Sequence, residues 1–150
     1  MKKRKPARAV IDTNLFVSGL FAGKGVTQQL QDLWVDGAFE LAVSEQILLE
    51  IENTIRKPSI WDKLQLEEGD ETLLTGLIRE RAFIVTRDTY KTDRIKDDPT
   101  DNKFLACALE ADADYVVSGD NYLLSLKHFH GIQIVDARTF VEKIQEKQSG

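Results

Sequence analysis

The sequence predicts an α/β fold with a mostly parallel sheet of about five strands. Short β-rich apolar runs alternate with amphipathic helical stretches along the chain, which is typical of βα units joined into a parallel sheet. The length of 150 residues, of which 42% are hydrophobic, suits one globular domain with a sizeable core. The expected strands are RAVID, FELAVS, AFIVT, DYVVSG and IQIVD.

The first helices are predicted from apolar spacing and from capping residues. One helix face between the first two strands comprises Val26, Leu30, Leu33 and Trp34. Ser44 can cap the next helix, which is expected to end before Pro58. The apolar face of that helix comprises Ile47, Leu48, Ile51 and Ile55.

The rest of the chain is expected to alternate in the same way. Residues 59–81 are predicted to be helical with a break at EEGDE, and the expected core-facing residues are Leu73, Leu74, Leu77 and Ile78. The polar stretch RDTYKTDRIKDDPT is long for a simple connection, which favours a functional loop. A helix from Asp101 to about Ala111 follows, and Asp136 can cap the last helix.

Composition limits the classes of protein that this chain can represent. We expect a single domain over residues 1–150, with a flexible basic start at 1–7 and a frayed tail at 146–150. No apolar run approaches the roughly 20 residues that a membrane span needs, so no membrane association is expected. Cys107 is the one cysteine, which excludes an internal disulfide and a cysteine-based zinc site and favours a cytoplasmic location. We interpret Cys107 as a small core residue.

Three aspartates are expected at the same edge of the sheet, where ligands of open parallel sheets bind. Asp12 ends the first strand, Asp120 follows the fourth, and Asp101 opens the helix before the fourth strand. Each has a structural alternative: Asp12 can form a turn, Asp120 can cap the helix NYLLSL, and Asp101 can interact with a helix dipole. However, Asp101 falls on the arc of its helix that also carries Phe104 and Leu105, and an inward carboxylate requires a cation or strong donors.

A cluster of carboxylates predicts a metal site. Glu45, Glu50 and Glu52 are nearly equivalent candidates for a fourth acid on the helix after the second strand. Converging carboxylates repel one another unless a cation is bound or their pKa values rise. Oxygen ligation suits one or two Mg²⁺ or Mn²⁺ ions, which can activate water and neutralise a phosphodiester. The sequence therefore indicates a nuclease.

These residues resemble those of the PIN-domain ribonucleases, specifically the toxin-like branch of prokaryotic toxin–antitoxin systems. The resemblance covers VIDTNLFVSGL, LAVSEQILLEIENTIRKP, DDPTDNKFLACALEADADYVVSGD and IQIVDARTFVEKI. It implies a three-layer α/β/α sandwich, metal-dependent cleavage of RNA, inhibition by an antitoxin protein, and a homodimer. The metal ligands that it implies are Asp12, Glu50, Asp101 and Asp120. Donors that orient these carboxylates would be Thr13, Asn14 and Ser118, and Asp98 would be an auxiliary acid.

The long loop before the acidic helix is a candidate for RNA contact. Its cations surround one tyrosine, a combination that suits phosphate contact and base stacking. The residues concerned are Arg87, Tyr90, Lys91, Arg94 and Lys96. The alternative for the loop is a solvated connection, and the alternative for the whole protein is a non-catalytic RNA- or partner-binding module with a structural metal.

Overall fold

Strands and helices alternate through the part of the chain that the structure describes. The structure, a computed structural model, describes residues 6–21, 25–86 and 102–149. The strands are β1 (Ala7–Ile11), β2 (Phe39–Ser44), β3 (Phe83–Val85), β4 (Tyr115–Val117), β5 (His128–Phe129) and β6 (Ile132–Val135). The helices are α1 (Thr13–Phe21), α2 (Val26–Val35), α3 (Glu45–Ile55), α4 (Pro58–Leu64), α5 (Asp70–Arg81), α6 (Asn102–Glu110), α7 (Asn121–Leu126) and α8 (Ala137–Ser149).

The described strands form one six-stranded sheet in the order β3, β2, β1, β4, β6, β5. All neighbours pair in parallel except β5, which is antiparallel to β6. From β1 the chain moves outward to β2 and β3 on one side, and later to β4 and β6 on the other. The sheet order therefore reverses between β1 and β4, and that point is where open α/β sheets bind ligands.

The predicted α/β class and mostly parallel sheet are confirmed, and helices flank the sheet. The five expected strands are present within one or two residues of their predicted bounds. The sixth strand, β5, has only two residues, too few to produce a period in the sequence. The ends of the chain were expected to be flexible: residues 1–5 lie outside the described residues, α8 continues to Ser149, and fraying of the tail in solution stays a prediction.

The core lies around the two central strands. Val10, Val116 and Val117 are fully buried, as expected for strands with both faces covered. Phe140 of α8 packs edge-on against Phe39 of β2 and Tyr115 of β4, with ring centroids 4.9 and 5.2 Å apart. The last helix is thereby attached to the middle of the sheet.

None of the helices in the described ranges is long and apolar enough to cross a membrane.

One prediction about the core is wrong. Leu73 and Leu77 of α5 were expected to face the core, but 68% and 50% of their surface is exposed. The prediction is correct for Ile78, which is buried, and for Leu74, which packs partly buried against the core. The helix also buries Thr75, and it packs mainly against α3. At roughly 100° per residue, Leu77 lies about 100° and Leu73 about 140° around the helix from Ile78. A single neighbouring helix does not cover so wide an arc.

Candidate functional site

Asp12 occupies the edge of the sheet between β1 and β4. It follows β1 directly, its backbone N–H donates to the Val117 carbonyl at 2.9 Å, and only 9% of its surface is exposed. Its Oδ1 accepts the backbone N–H of Asn14 at 2.9 Å, and its Oδ2 accepts the Ser118 hydroxyl at 2.7 Å. The two oxygens of a nearly buried carboxylate are thus held in one orientation at the point where the sheet order reverses.

Ser118 connects Asp12 to the second acid of the site. The Ser118 side chain is fully buried, and its Oγ accepts the backbone N–H of Asp120 at 2.9 Å. Because that hydroxyl donates its own proton to Asp12, a continuous hydrogen-bonded chain runs from the end of β4 to the end of β1. The bridge fixes the relative positions of two acid-bearing segments.

Asp120 serves as the N-cap of α7. Its Oδ1 accepts the backbone N–H groups of Tyr122 and Leu123 at 2.8 and 3.3 Å, which is the structural alternative considered for this residue. The described residues donate no hydrogen bond to Oδ2 of the same carboxylate. Since each carboxylate oxygen can accept separately, capping leaves one oxygen of Asp120 for a further ligand.

The structure separates the three glutamates that the sequence left nearly equivalent. Arg79 binds Glu45 through two bonds of 2.7 Å, and Arg56 binds Glu52 at 2.7 Å. Glu50 instead contacts α6, the helix that leads into β4: its Oε2 lies 2.5 Å from the Nζ of Lys103. Of the three, Glu50 is the one that interacts with the helix following Asp101 in sequence.

Of the two donors expected beside Asp12, Asn14 contacts its carboxylate and Thr13 has no contact with it among the described residues. Asn14 contacts Asp12 through its backbone N–H, not through its amide side chain. Thr13 is buried, and its Oγ1 has no hydrogen-bond partner among the described residues. A buried hydroxyl without a partner costs about 1–3 kcal/mol, and this hydroxyl belongs to the residue directly after Asp12.

The acids fit a hard divalent cation in chemistry, but the described residues do not by themselves complete a site. Within residues 6–21, 25–86 and 102–149, no group of three or more acids, histidines or cysteines is close enough to hold a metal. The oriented oxygens of Asp12, the second oxygen of Asp120 and the unpartnered Thr13 hydroxyl are the kinds of donor that Mg²⁺ and Mn²⁺ accept. These residues therefore fit part of a coordination sphere.

Several predicted site residues lie outside the described residues. Among the acids these are Asp98 and Asp101, and Asp101 immediately precedes Asn102, the first residue of α6. The predicted RNA-contacting residues are also outside: Arg87, Tyr90, Lys91, Arg94 and Lys96. Their roles stay predictions.

The chain matches the family model of the PIN domain over residues 8–122. It belongs to the PIN-domain family. The predicted family is confirmed. PIN domains are generally nucleases that typically use divalent metals, so family membership suggests the nuclease class without identifying a metal or an activity. The chain is also similar to an uncharacterized protein of Methanocaldococcus jannaschii, with 30% identity over 120 residues that cover 80% of this chain and 75% of the archaeal protein. Neither similarity distinguishes a toxin from other PIN-domain proteins.

Two further residues of this PIN domain bear on the site. Sequence reasoning missed Lys103, because a lysine in a helix is ordinarily a solvated residue and its pairing with Glu50 depends on how α3 and α6 pack. Cys107 lies on the same helix and is buried; burial raises the pKa of its thiol to about 12 despite a hydrogen bond with Ser44. A thiol with such a pKa stays protonated at neutral pH, so it is unsuited to nucleophilic catalysis.

Proposed function

We propose that this PIN domain is an endoribonuclease that hydrolyses RNA phosphodiester bonds with one or two Mg²⁺ or Mn²⁺ ions. The metal ligands in this proposal are Asp12, Glu50, Asp101 and Asp120. The observation that carries it is the hydrogen-bonded chain from Asp120 through Ser118 to Asp12 at the reversal of the sheet order. Family membership supports the nuclease class.

Each described residue has a definable task in this chemistry. A bound divalent cation would neutralise charge on the phosphodiester and activate water for its in-line displacement. Ser118 and the Asn14 N–H keep the Asp12 carboxylate in one rotamer, so no side-chain rearrangement is needed when the substrate arrives. Capping of α7 does the same for Asp120 while one oxygen stays available.

The residues of the 87–101 segment complete the proposal. Asp98 is an auxiliary acid in it, and the loop cations and Tyr90 hold the RNA by phosphate contacts and base stacking. This part rests on the sequence alone. Replacing Tyr90 with alanine tests it: the KM for RNA should rise several-fold with a smaller change in kcat, since base stacking contributes about 1–3 kcal/mol per base.

A toxin role inhibited by a small antitoxin is the finer part of the proposal, and its support is the sequence resemblance. Expression in a bacterial host tests it. The wild-type chain should arrest growth and degrade cellular RNA, whereas an Asp12→Asn variant at equal abundance should do neither. Normal growth at high abundance of active enzyme would contradict the toxin role while leaving the nuclease proposal intact.

We also propose a homodimer, supported by the outer face of α5. Arg79 near the end of α5 pairs with Glu45 at the start of α3, and Arg56 just after α3 lies 3.8 Å from Glu71 at the start of α5. The two helices therefore run antiparallel and cover each other on one side. On the other side, α5 carries the two exposed leucines.

The chemistry of this face fits a second copy of the same chain. Leu73 and Leu77 are four residues apart and lie on one stripe, with the acid Asp70 before them and the cation Arg81 after them. Antiparallel pairing of α5 with its copy would place leucines against leucines and acids against cations. A Cβ added at Gly76, between the leucines in sequence, would meet no atom of the described residues within 4 Å, so a second helix has room to approach there.

The experiment that tests the nuclease proposal uses an end-labelled RNA pool and a DNA pool of the same sequences. The purified full chain is incubated with Mn²⁺, Mg²⁺ or EDTA. Cleavage of RNA with either metal and none with EDTA is expected. Binding of RNA without turnover in any metal would instead favour the non-catalytic binding module.

A further inference from the structure

We propose that Lys103 is a positioning residue of the acidic site, which holds the Glu50 carboxylate in the absence of a divalent cation and competes with the cation for it. This inference rests on the proposed function, because it takes Glu50 as a metal ligand. It adds a residue that neither the sequence motifs nor the family match singled out. In this view the protein carries its own counter-cation at the metal site.

The geometry of the pair supports this role. The Nζ of Lys103 lies 2.5 Å from Oε2 of Glu50, and only 9% of the lysine side chain is exposed, against 36% for the glutamate. The ammonium also lies 4.8 Å from the centre of the Phe104 ring. An ammonium group that is largely withdrawn from water is costly unless it is paired, and the Glu50 carboxylate offsets part of that cost.

Other ion pairs in the described chain differ in burial. The cations of the pairs Arg79–Glu45 and Arg56–Glu52 are about half exposed, and such surface pairs contribute little because water and salt screen them. Lys103 is the most buried cation among the ion pairs recorded for the described residues. Water and salt therefore screen the Lys103–Glu50 pair least, so competition between the ammonium and a metal ion for the carboxylate would be strongest in this pair.

Helix stability does not account for a lysine at this position. Lys103 is the second residue of α6, and the N-terminus of a helix carries a partial positive charge that disfavours cations. Both the helix dipole and the loss of water around the ammonium therefore disfavour a lysine at this position. Among the described residues, the Glu50 carboxylate is the partner that offsets both costs.

Metal binding and the lysine contact compete for the Glu50 carboxylate. One lone pair of Oε2 cannot point at an ammonium at 2.5 Å and at a cation, and two positive charges at one carboxylate repel each other, so a metal bound there favours withdrawal of Lys103. Removal of the ammonium should then strengthen metal binding. A lysine that merely joined α3 to α6 would affect folding but would not affect metal affinity in a way that depends on Glu50.

The test measures Mn²⁺ dissociation constants by electron paramagnetic resonance on the full chain. Lys103→Met keeps most of the apolar stem and removes the charge, and Lys103→Arg keeps the charge. We expect Lys103→Met to bind Mn²⁺ about tenfold more tightly, since a unit charge a few ångströms from a divalent cation has an effect of that order even in water. Lys103→Arg should stay close to the wild type.

A Glu50→Gln background separates competition at Glu50 from a general charge effect. There, Lys103→Met should change the Mn²⁺ constant much less than it does in the wild-type background. Thermal melting in EDTA provides a second readout: Lys103→Met should melt at a lower temperature than the wild type and be stabilised more by saturating Mn²⁺.

The possible failures are distinguishable. If the wild type and Lys103→Met bind Mn²⁺ equally well, or if the folded variant binds it more weakly, the inference about Lys103 is wrong and the metal site stands. An equal gain in the Glu50→Gln background would also overturn it. If the folded wild type binds no Mn²⁺ at all, both the proposed function and this inference are wrong.

Discussion

At the scale of single residues, the candidate site depends on one buried hydroxyl. Ser118 donates to Asp12 and accepts from the backbone of Asp120, so it connects the ends of two strands that are 106 residues apart in sequence. The contact with Asp12 is buried, and the contact with the Asp120 N–H is partly buried. Loss of the hydroxyl would leave a buried carboxylate oxygen and a backbone N–H without their partner.

Ser118→Ala should therefore lower both stability and activity. We expect a loss of about 1–3 kcal/mol in the free energy of unfolding and a fall in kcat of about tenfold or more, since the Asp12 carboxylate is no longer held in place. Urea denaturation and RNA cleavage measure the two effects. Ser125→Ala is the matched control, because the exposed Ser125 hydroxyl donates to the Tyr122 carbonyl of its own helix at 2.7 Å. An equal effect of both variants would contradict this role of Ser118.

Thr13→Val tests the unpartnered hydroxyl beside Asp12. Valine has nearly the same shape, and the Thr13 Oγ1 has no partner among the described residues. In EDTA, the free energy of unfolding should therefore stay unchanged or rise by up to about 1 kcal/mol, while the affinity for Mn²⁺ should fall. If urea denaturation in EDTA instead shows that the free energy of unfolding falls by more than about 1 kcal/mol, the Thr13 hydroxyl already has a hydrogen-bond partner without metal.

At the scale of helices and strands, the sequence predicted those features that depend on residues within one helix or one turn. The Ser44 cap was predicted, and its side chain accepts the Ile47 N–H at 3.1 Å; the break at EEGDE was also predicted, and it contains Gly69 with a positive φ of 96°. Helix α1 was not predicted. Its sequence TNLFVSGLF is apolar on most sides, so it lacks the one-sided period that identifies an amphipathic helix.

The cap of α8 gives a prediction about pH. Oδ1 of Asp136 accepts the Thr139 N–H at 2.8 Å, and this bond, with a second contribution from the Thr139 side chain, lowers the pKa of Asp136 from its ordinary 3.8. Because the folded-state pKa is the lower one, the stabilisation is complete above the unfolded-state pKa and is lost as the pH falls through the folded-state value.

Asp136→Ala should accordingly cost about 1 kcal/mol in the free energy of unfolding at pH 7. The difference between the variant and the wild type should shrink as the pH falls below about 3.8. Urea denaturation of both proteins at pH 7 and at a pH below about 3.8 measures this difference in the free energy of unfolding. A difference that grew as the pH fell would contradict the assigned direction of the pKa change.

At the scale of the whole molecule, the sequence predicted that Asp12 and Asp120 follow strands at one edge of the sheet, but not how the two acids are joined; the same prediction for Asp101 falls outside the described residues. The alternation of strands and helices predicts a parallel sheet, and the carboxyl ends of parallel strands share an edge, so Asp12 and Asp120 could be assigned there. The Ser118 bridge and the Lys103–Glu50 pair depend on side chains from distant segments, and no local period reports such contacts. The exposed leucines of α5 were misassigned for the same reason.

The proposed dimer is tested by charge substitution on α5. The wild type is expected to be a dimer and Leu77→Glu a monomer, because the substitution places a carboxylate in the leucine stripe and opposite its own copy. Sedimentation equilibrium measures the mass, and Thr72→Glu, at an exposed position of the same helix outside that stripe, is the control. A Leu77→Glu protein that remained dimeric would show that α5 is not the interface.

The central claim is that Asp12 anchors the metal-dependent cleavage of RNA. The most direct test compares RNA cleavage in Mn²⁺ by the wild type, Asp12→Asn and Asp62→Asn, the last being an exposed aspartate of α4. Thermal melting should show that all three proteins are folded. We expect the wild type and Asp62→Asn to cleave RNA, and the cleavage rate of Asp12→Asn to be at least about a hundredfold lower. Losses of that size are seen when a group that stabilises a transition state is removed. Undiminished cleavage by Asp12→Asn would contradict the account.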